Sequence, residues 1–449
     1  MRVPFGTTIF ERDRGGLPTL PVVNMFAEAA PTEETGLALQ SRPGVTDRAA
    51  NMGAGPVAQL FKGDGVIDGA LYGISGGSIY RETVSLGVID GTGPASIAGF
   101  EDKLFFNAGG TIKAWDGAVL TTPALPDSAN AVKIVVGGSR LVYIRADTEK
   151  VYWSNVLSDT VGGLSFSSAE QQPDRLKDIL FWSDSLLLFG SETVETHPNT
   201  GDPALPFQAL EGRTFKRGIR ATGCASLFGP TYAWVTDLNQ VCIETPENII
   251  SWPGMEAVIE ASATCRLFNF YLEGTELLGL RLDERFFVYS YRSRMWSEFT
   301  TYGEPIWVPR CFAGGVFGSA TDGRTMVWGA DWTDLGQTLE RRFRGGLLLN
   351  AGGLTLDNFV IRTNPGETGF LTGDYADPSV EVRFSRDGGK TWGNWKPRSL
   401  GEQGRYRKSV HWAGCGMFSQ PGMMFECRVS DPVDFRVSDA RANEGFGGI

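Results

Sequence analysis

Seven short β-hairpins recur along the first three quarters of the chain, and no other feature limits the fold so sharply. Each is a run of Val, Ile, Leu, Phe, Tyr or Trp, a turn rich in Gly, Asp, Asn or Ser, and a second apolar run. That is strand–turn–strand chemistry. The hairpins start near Leu71, Leu104, Leu141, Leu186, Tyr232, Leu277 and Val316, at steps of 33, 37, 45, 46, 45 and 39 residues. An all-strand repeat of about 40–50 residues is the period of a β-propeller blade. Each hairpin reads as the middle of a four-stranded blade. A blade has two faces to bury, and stacking in a ring buries both while protecting its edges. Trp115, Trp153, Trp234, Trp296 and Trp328 fit the layer between blades. Helical periodicity is nearly absent, and only 25–39 and 125–132 are expected to hold a short helix.

The pattern changes after Leu339. Longer alternations at 354–363, 380–384 and 424–429 predict a separate β-sandwich of about 110 residues. The expected class is all-β: a β-propeller of six or seven blades followed by a C-terminal β-sandwich. Residues 1–60 fit neither pattern and read as an extended N-terminal arm, with 61–339 as the propeller and 340–449 as the sandwich. Residues 441–449 read as a loose tail.

Composition narrows the function. Gly supplies 58 of 449 residues without a collagen period, which points to many tight turns. A net charge of −11 argues against wrapping DNA or coating an anionic membrane by charge. No run of about 18 apolar residues predicts a spanning helix, and the first residues lack the apolar core of a secretory signal. The six cysteines include no C-x-x-C pair and read as buried free thiols. There are two histidines: His411 reads as a packed strand residue, and His197 has no visible nucleophile partner. No phosphate loop, dinucleotide fingerprint or metal motif occurs, so no cofactor and no metal are expected.

Two stretches carry possible chemistry. Ser385, Asp387, Gly389, Thr391 and Trp392 match the S-x-D-x-G-x-T-W Asp box, a turn in which the Asp accepts backbone N–H groups and the Trp packs beneath. Sialidases carry several such boxes, so a glycan-binding or glycoside-hydrolysing propeller is the alternative function. That chemistry needs two carboxylates across a cleft, and the sequence selects no pair. Arg341, Arg342 and Arg344 lie on the expected linker, and Arg405, Arg407 and Lys408 interleave with Trp395, Tyr406 and Trp412. Basic and aromatic residues together can bind single strands. Strand alternation favours a polar sheet face or a protein interface for the second set, and the linker position a solvated or inter-subunit face for the first, so both read as candidate inter-subunit or partner contacts. A monomeric propeller scaffold is the third reading.

Four segments together resemble the packaged-DNA stabilisation proteins, or tail hub (nozzle) proteins, of short-tailed, podovirus-type bacteriophages. They are Leu20-Pro21-Val22-Val23-Asn24-Met25, Ser41-Arg42-Pro43-Gly44-Val45-Thr46, Gln172-Pro173-Asp174 leading to Leu188-Phe189-Gly190-Ser191-Glu192-Thr193-Val194-Glu195, and Phe215-Lys216-Arg217-Gly218-Ile219-Arg220-Ala221-Thr222-Gly223-Cys224. The resemblance covers roughly 18–300 and is weaker in the sandwich. It implies a non-enzymatic virion protein of the phage tail, made in the bacterial cytoplasm. It also implies a homo-hexameric ring below the portal and adaptor (head-completion) rings. Such a ring retains packaged double-stranded DNA, conducts it through the lumen on ejection without sequence recognition, and holds fibres, spikes or a needle. No stable membrane insertion is implied. Residues 1–60 and the loop 196–217 are the expected ring contacts, and the lumen is expected to be mostly acidic.

Overall fold

The computed structural model describes residues 1–11, 19–31, 36–63, 65–91, 93–168, 174–210, 212–304, 306–346, 353–369, 371–419 and 422–443. All seven expected hairpins form, each as the second and third strands of a blade. The innermost strands are Val57–Lys62, Ser96–Phe100, Ala131–Gly137, Leu176–Trp182, Ala225–Phe228, Arg266–Leu272 and Pro309–Ala313. Each packs beside the next, and Pro309–Ala313 packs back on Val57–Lys62, which closes a ring of seven blades. Blade 5 is the slightest, with three strands and one bridge from Cys242 to Ile249.

Apolar layers between blades hold the ring. Tyr72, Leu104, Phe106 and Trp115 pack between blades 1 and 2. Ile144, Trp153, Ile179 and Leu188 do the same between blades 3 and 4. Trp307 sits between blades 6 and 7, fully buried among Phe270, Phe286, Phe299 and Phe317. All six cysteines are free and buried.

Residues 1–60, expected as an arm, instead supply strands to both bodies. Val45–Asp47 is the outer strand of blade 7, with Val45 opposite Trp328 and Asp47 opposite Met326. Val22–Val23 runs parallel to Trp296–Glu298 of blade 6 and antiparallel to Arg341–Arg344. It thereby welds blade 6 to Met424–Val429, Ser379–Ser385 and Lys396–Ser399 in one nine-stranded sheet. Met25–Ala29 and Leu37–Ser41 join Arg436–Ala442, Leu354–Thr363 and Val410–Phe418 in the second sheet of the sandwich. Phe359, Phe384, Trp412 and Phe425 fill the space between the two sheets.

Three local expectations change. Residues 25–31 and 36–39 are not helical, because Met25–Ala29 pairs with Leu37–Ser41 and the hairpin continues the sandwich sheet, while 32–35 of that expected helix lie outside the described residues. The 125–132 stretch holds one 3-10 turn at Ser128–Asn130 and then a strand. The α-helix found among the described residues is the six-residue Met255–Glu260. Arg441 and Ala442 belong to the sandwich rather than to a loose tail, and residues 444–449 lie outside the described set.

Candidate functional site

The densest polar construction lies where propeller meets sandwich. Asn24 takes a left-handed conformation at φ 54°, which lets the chain leave one sandwich sheet and enter the other. Its side-chain oxygen accepts Arg42 Nε at 3.0 Å and the Thr300 amide at 2.9 Å. Its Nδ2 donates to Thr300 Oγ1 and to the Glu340 carbonyl. Arg42 is fully buried, and every N–H of its guanidinium is used. Besides Asn24 it reaches the carbonyls of Pro43 and Thr300 and both oxygens of Asp334, with Nη1 2.8 Å from Oδ1. The guanidinium also lies over the rings of Phe299 and Trp307. Asp334 is fully buried too and accepts the Val45 amide at 3.0 Å. A fork of five donors against a carboxylate is the geometry that makes a buried charge tolerable. Gly44 is required here, since a Cβ would stand 1.7 Å from the Thr333 carbonyl oxygen.

A second staple closes blade 4 on itself, beside the link to blade 5. Asp174 accepts the amides of Ser191, Glu192 and Thr193 and the hydroxyls of Ser191 and Thr193, at 2.5–3.0 Å. Burial works against its charge, but these bonds outweigh burial and hold the carboxyl below its usual range. Gly218 backs onto this turn, where a Cβ would stand 2.0 Å from the Ser191 carbonyl oxygen. Asp178, also buried, accepts Lys133 Nζ and the Gly223 amide. The segments that carry the family resemblance are therefore turn and junction staples. Gln172 and Pro173 lie outside the described residues.

The expected site residues separate into three groups. The Asp box forms as read. Asp387 accepts the Lys390 and Thr391 amides and the hydroxyls of Thr391 and Ser385, while Ser385 Oγ accepts the Gly389 amide. Trp392 donates to the Gly389 carbonyl, and Gly389 has φ +91°. The Thr391 hydroxyl, then the Thr391 amide and Ser385, hold the Asp387 carboxyl well below the usual range. Arg341, expected as an exposed contact, is a correction: it is fully buried and offers a partner nothing. It shares the inward parity of Phe343, and burial pushes its guanidinium down to about 9. Arg342 and Arg344 face outward but turn to the buried carboxylate of Glu426, which also receives Arg383. Arg344 and Arg383 stack on Trp392. Arg405 and Arg407 are exposed on the loop before Val410–Phe418, without a side-chain partner among the described residues. Lys408 is held by Ser399, with Asp377 at 3.9 Å.

The propeller encloses a channel of about 470 Å³, lined by Gln59, Ile97, Lys133, Phe181, Ser226, Arg266 and Cys311 among others. A five-residue strand rises ~17 Å, so the bore falls below the ~12 Å width of a DNA major groove alone. A duplex does not fit through one subunit. His197 binds Glu195 at 2.9 Å, both buried on one strand of blade 4. That is a packing pair, with no nucleophile in the contact. Among the described residues no group of three or more His, Cys, Asp or Glu side chains could hold a metal. Sequence reasoning missed Asp334 and Glu426 as charge hubs. The available signal was parity, since Glu426 alternates with Phe425 and Cys427 on a strand opposite three arginines.

These features define a class: a seven-bladed propeller fused to a β-sandwich, with its polar chemistry invested in staples. A family model described as the β-propeller of bacteriophage P22 Gp10 matches residues 1–242, and one described as the β-sandwich of the same Gp10 matches 340–444. The chain belongs to this family of phage tail hub proteins. The tail hub protein gp10 of Salmonella phage P22 is 25% identical over 229 residues, which are 48% of this chain and 48% of that protein. The match thus spans about half the length of that relative. The β-propeller domain of Myceliophteria thermophila Cps50 (Swd1) covers 62% of this chain and 98% of its own at 9% identity and a TM-score of 0.39. At that score the likeness adds nothing to the strand pairing described above.

Proposed function

We propose that this chain is a structural hub of a phage tail that assembles as a cyclic hexamer below the portal and adaptor rings. Its ring extends the portal channel, retains packaged double-stranded DNA and conducts it on ejection. Fibre, spike or needle proteins attach to it. The observation that carries the reading is that both bodies, in order, match the two Gp10 family models. The narrow propeller bore adds a constraint: DNA passes between subunits, through a lumen that the ring creates. A mostly acidic lumen wall is part of the proposal, since each phosphate-neutralising contact adds salt-dependent grip. No enzymatic step is proposed. The glycan-directed alternative was motivated by 385–392, whose polar groups serve the turn itself.

The test is mass per particle by light scattering and electron microscopy, with and without portal-type partners. Rings of about six subunits with an open centre are expected. A chain that stays monomeric under both conditions overturns the reading.

A further inference from the structure

Charge is unevenly divided along this chain. Residues 340–449 hold 15 basic and 13 acidic side chains, a net of +2, which leaves −13 for residues 1–339. Within the sandwich the excess is concentrated at 386–411, where seven basic residues face two acidic ones. Lys396 and Arg398 lie exposed on the terminal strand of the nine-stranded sheet, and Arg405 and Arg407 lie exposed on the loop that follows. Tyr406 between them is 59% exposed. This is a basic edge with an aromatic tip.

Its complement lies across the molecule. A groove of about 420 Å³ between blades 2 and 3 is lined by Glu101, Asp102, Asp159, Leu157 and Lys103. Asp159 pairs with Lys103, and the charges of Asp102 and Asp116 also act on that ammonium, so carboxylates outnumber it. Leu157 is 65% exposed, an apolar residue at the rim of an acidic groove. The sandwich is welded to blade 6. In a seven-membered ring the gap between blades 2 and 3 is diametrically opposite blade 6. The two surfaces therefore point away from each other and cannot meet within one chain.

We infer that the basic edge of the sandwich in one copy docks into the acidic groove between blades 2 and 3 of the next copy. The contact is heterologous, head to tail, and repeats until a ring closes. Opposite charge steers the encounter, and Tyr406 supplies an amphipathic anchor beside Leu157. The inference rests on the ring assembly proposed above and names the surfaces that would make it.

Two charge-reversed chains test it: Arg405→Glu with Arg407→Glu, and Glu101→Lys with Asp102→Lys. All four residues are exposed. Each variant alone should fall from the ring mass to the mass of one chain. Mixed in equal amounts they should regain rings, since each junction then pairs opposite charges, with the two chains alternating. Recovery on mixing also shows that neither variant is misfolded. Rings that persist in either variant alone, or no recovery on mixing, would sink the docking while the ring reading stands on the unmodified chain. An unmodified chain that forms no ring, alone or with portal-type partners, would sink the ring reading first.

Discussion

Blades 1–4 and blade 7 solve the same packing problem in opposite ways. Each of the first four is spun from one continuous stretch of chain, with sequence neighbours as strand neighbours. Blade 7 takes its outer strand from residues 45–47, and both sandwich sheets take strands from residues 22–41. Local blades rest on turns such as that of Asp174. The discontinuous part rests on a buried polar knot whose members are up to 316 residues apart. The difference teaches that local pairing builds the blades, whereas long-range polar specificity fixes how the ring shuts and where the sandwich sits.

The most damaging way to probe the contrast is Asp334→Ala. It leaves the Arg42 guanidinium buried without its carboxylate, a loss of about 3–5 kcal/mol. Denaturant unfolding should show blade 7 and the sandwich failing together. The double change of Arg42→Met with Asp334→Leu should cost less than Asp334→Ala alone, because no lone charge remains. Asp174→Ala comes next, at about 1–3 kcal/mol, because it strands several turn N–H groups. Amide exchange should show that loss confined to blades 4 and 5. Arg341→Met reverses the sign. Two of the guanidinium nitrogens, Nε and Nη1, are buried without a partner, so the variant should gain about 1 kcal/mol near neutral pH. The folded Arg341 value of about 9 lies below its ordinary 12.5, so the native chain recovers stability as pH rises above about 9. The variant's advantage should shrink over that range. Asp387→Ala should have the smallest effect, a slight fall in melting temperature seen at neutral pH. Its carboxyl is held low in the fold, so that contribution is complete above the usual carboxylate range and fades in acid.

How much was legible follows the same division. All seven hairpins could be read because apolar runs and turn residues lie side by side in the sequence. The blade-closing strand could not, since Val45-Thr46-Asp47 is a strand only by virtue of Met326, Val327 and Trp328. Met25-Phe26-Ala27-Glu28-Ala29 has helix-favouring residues, and pairing with Leu37–Ser41 overrides that preference. Arg341 looked exposed because three arginines stand close together. Its parity with Phe343 was the overlooked sign. The Asp box was fully legible because all its bonds are local, whereas the exposed Arg405 and Arg407 were recognisable as charges but not as lying on the loop beyond the terminal strand of the nine-stranded sheet.

The borrowed outer strand of blade 7 also has a consequence in time. Residues 45–47 leave the ribosome about 280 residues before Thr325–Trp328, their partner strand. At roughly 5–20 residues per second that is a wait of ~14–56 s. Leu37–Ser41 waits longer still, for Arg436–Ala442. The first strands made are thus the last to be seated, and the growing chain carries an open ring until the latch it made at the outset swings home.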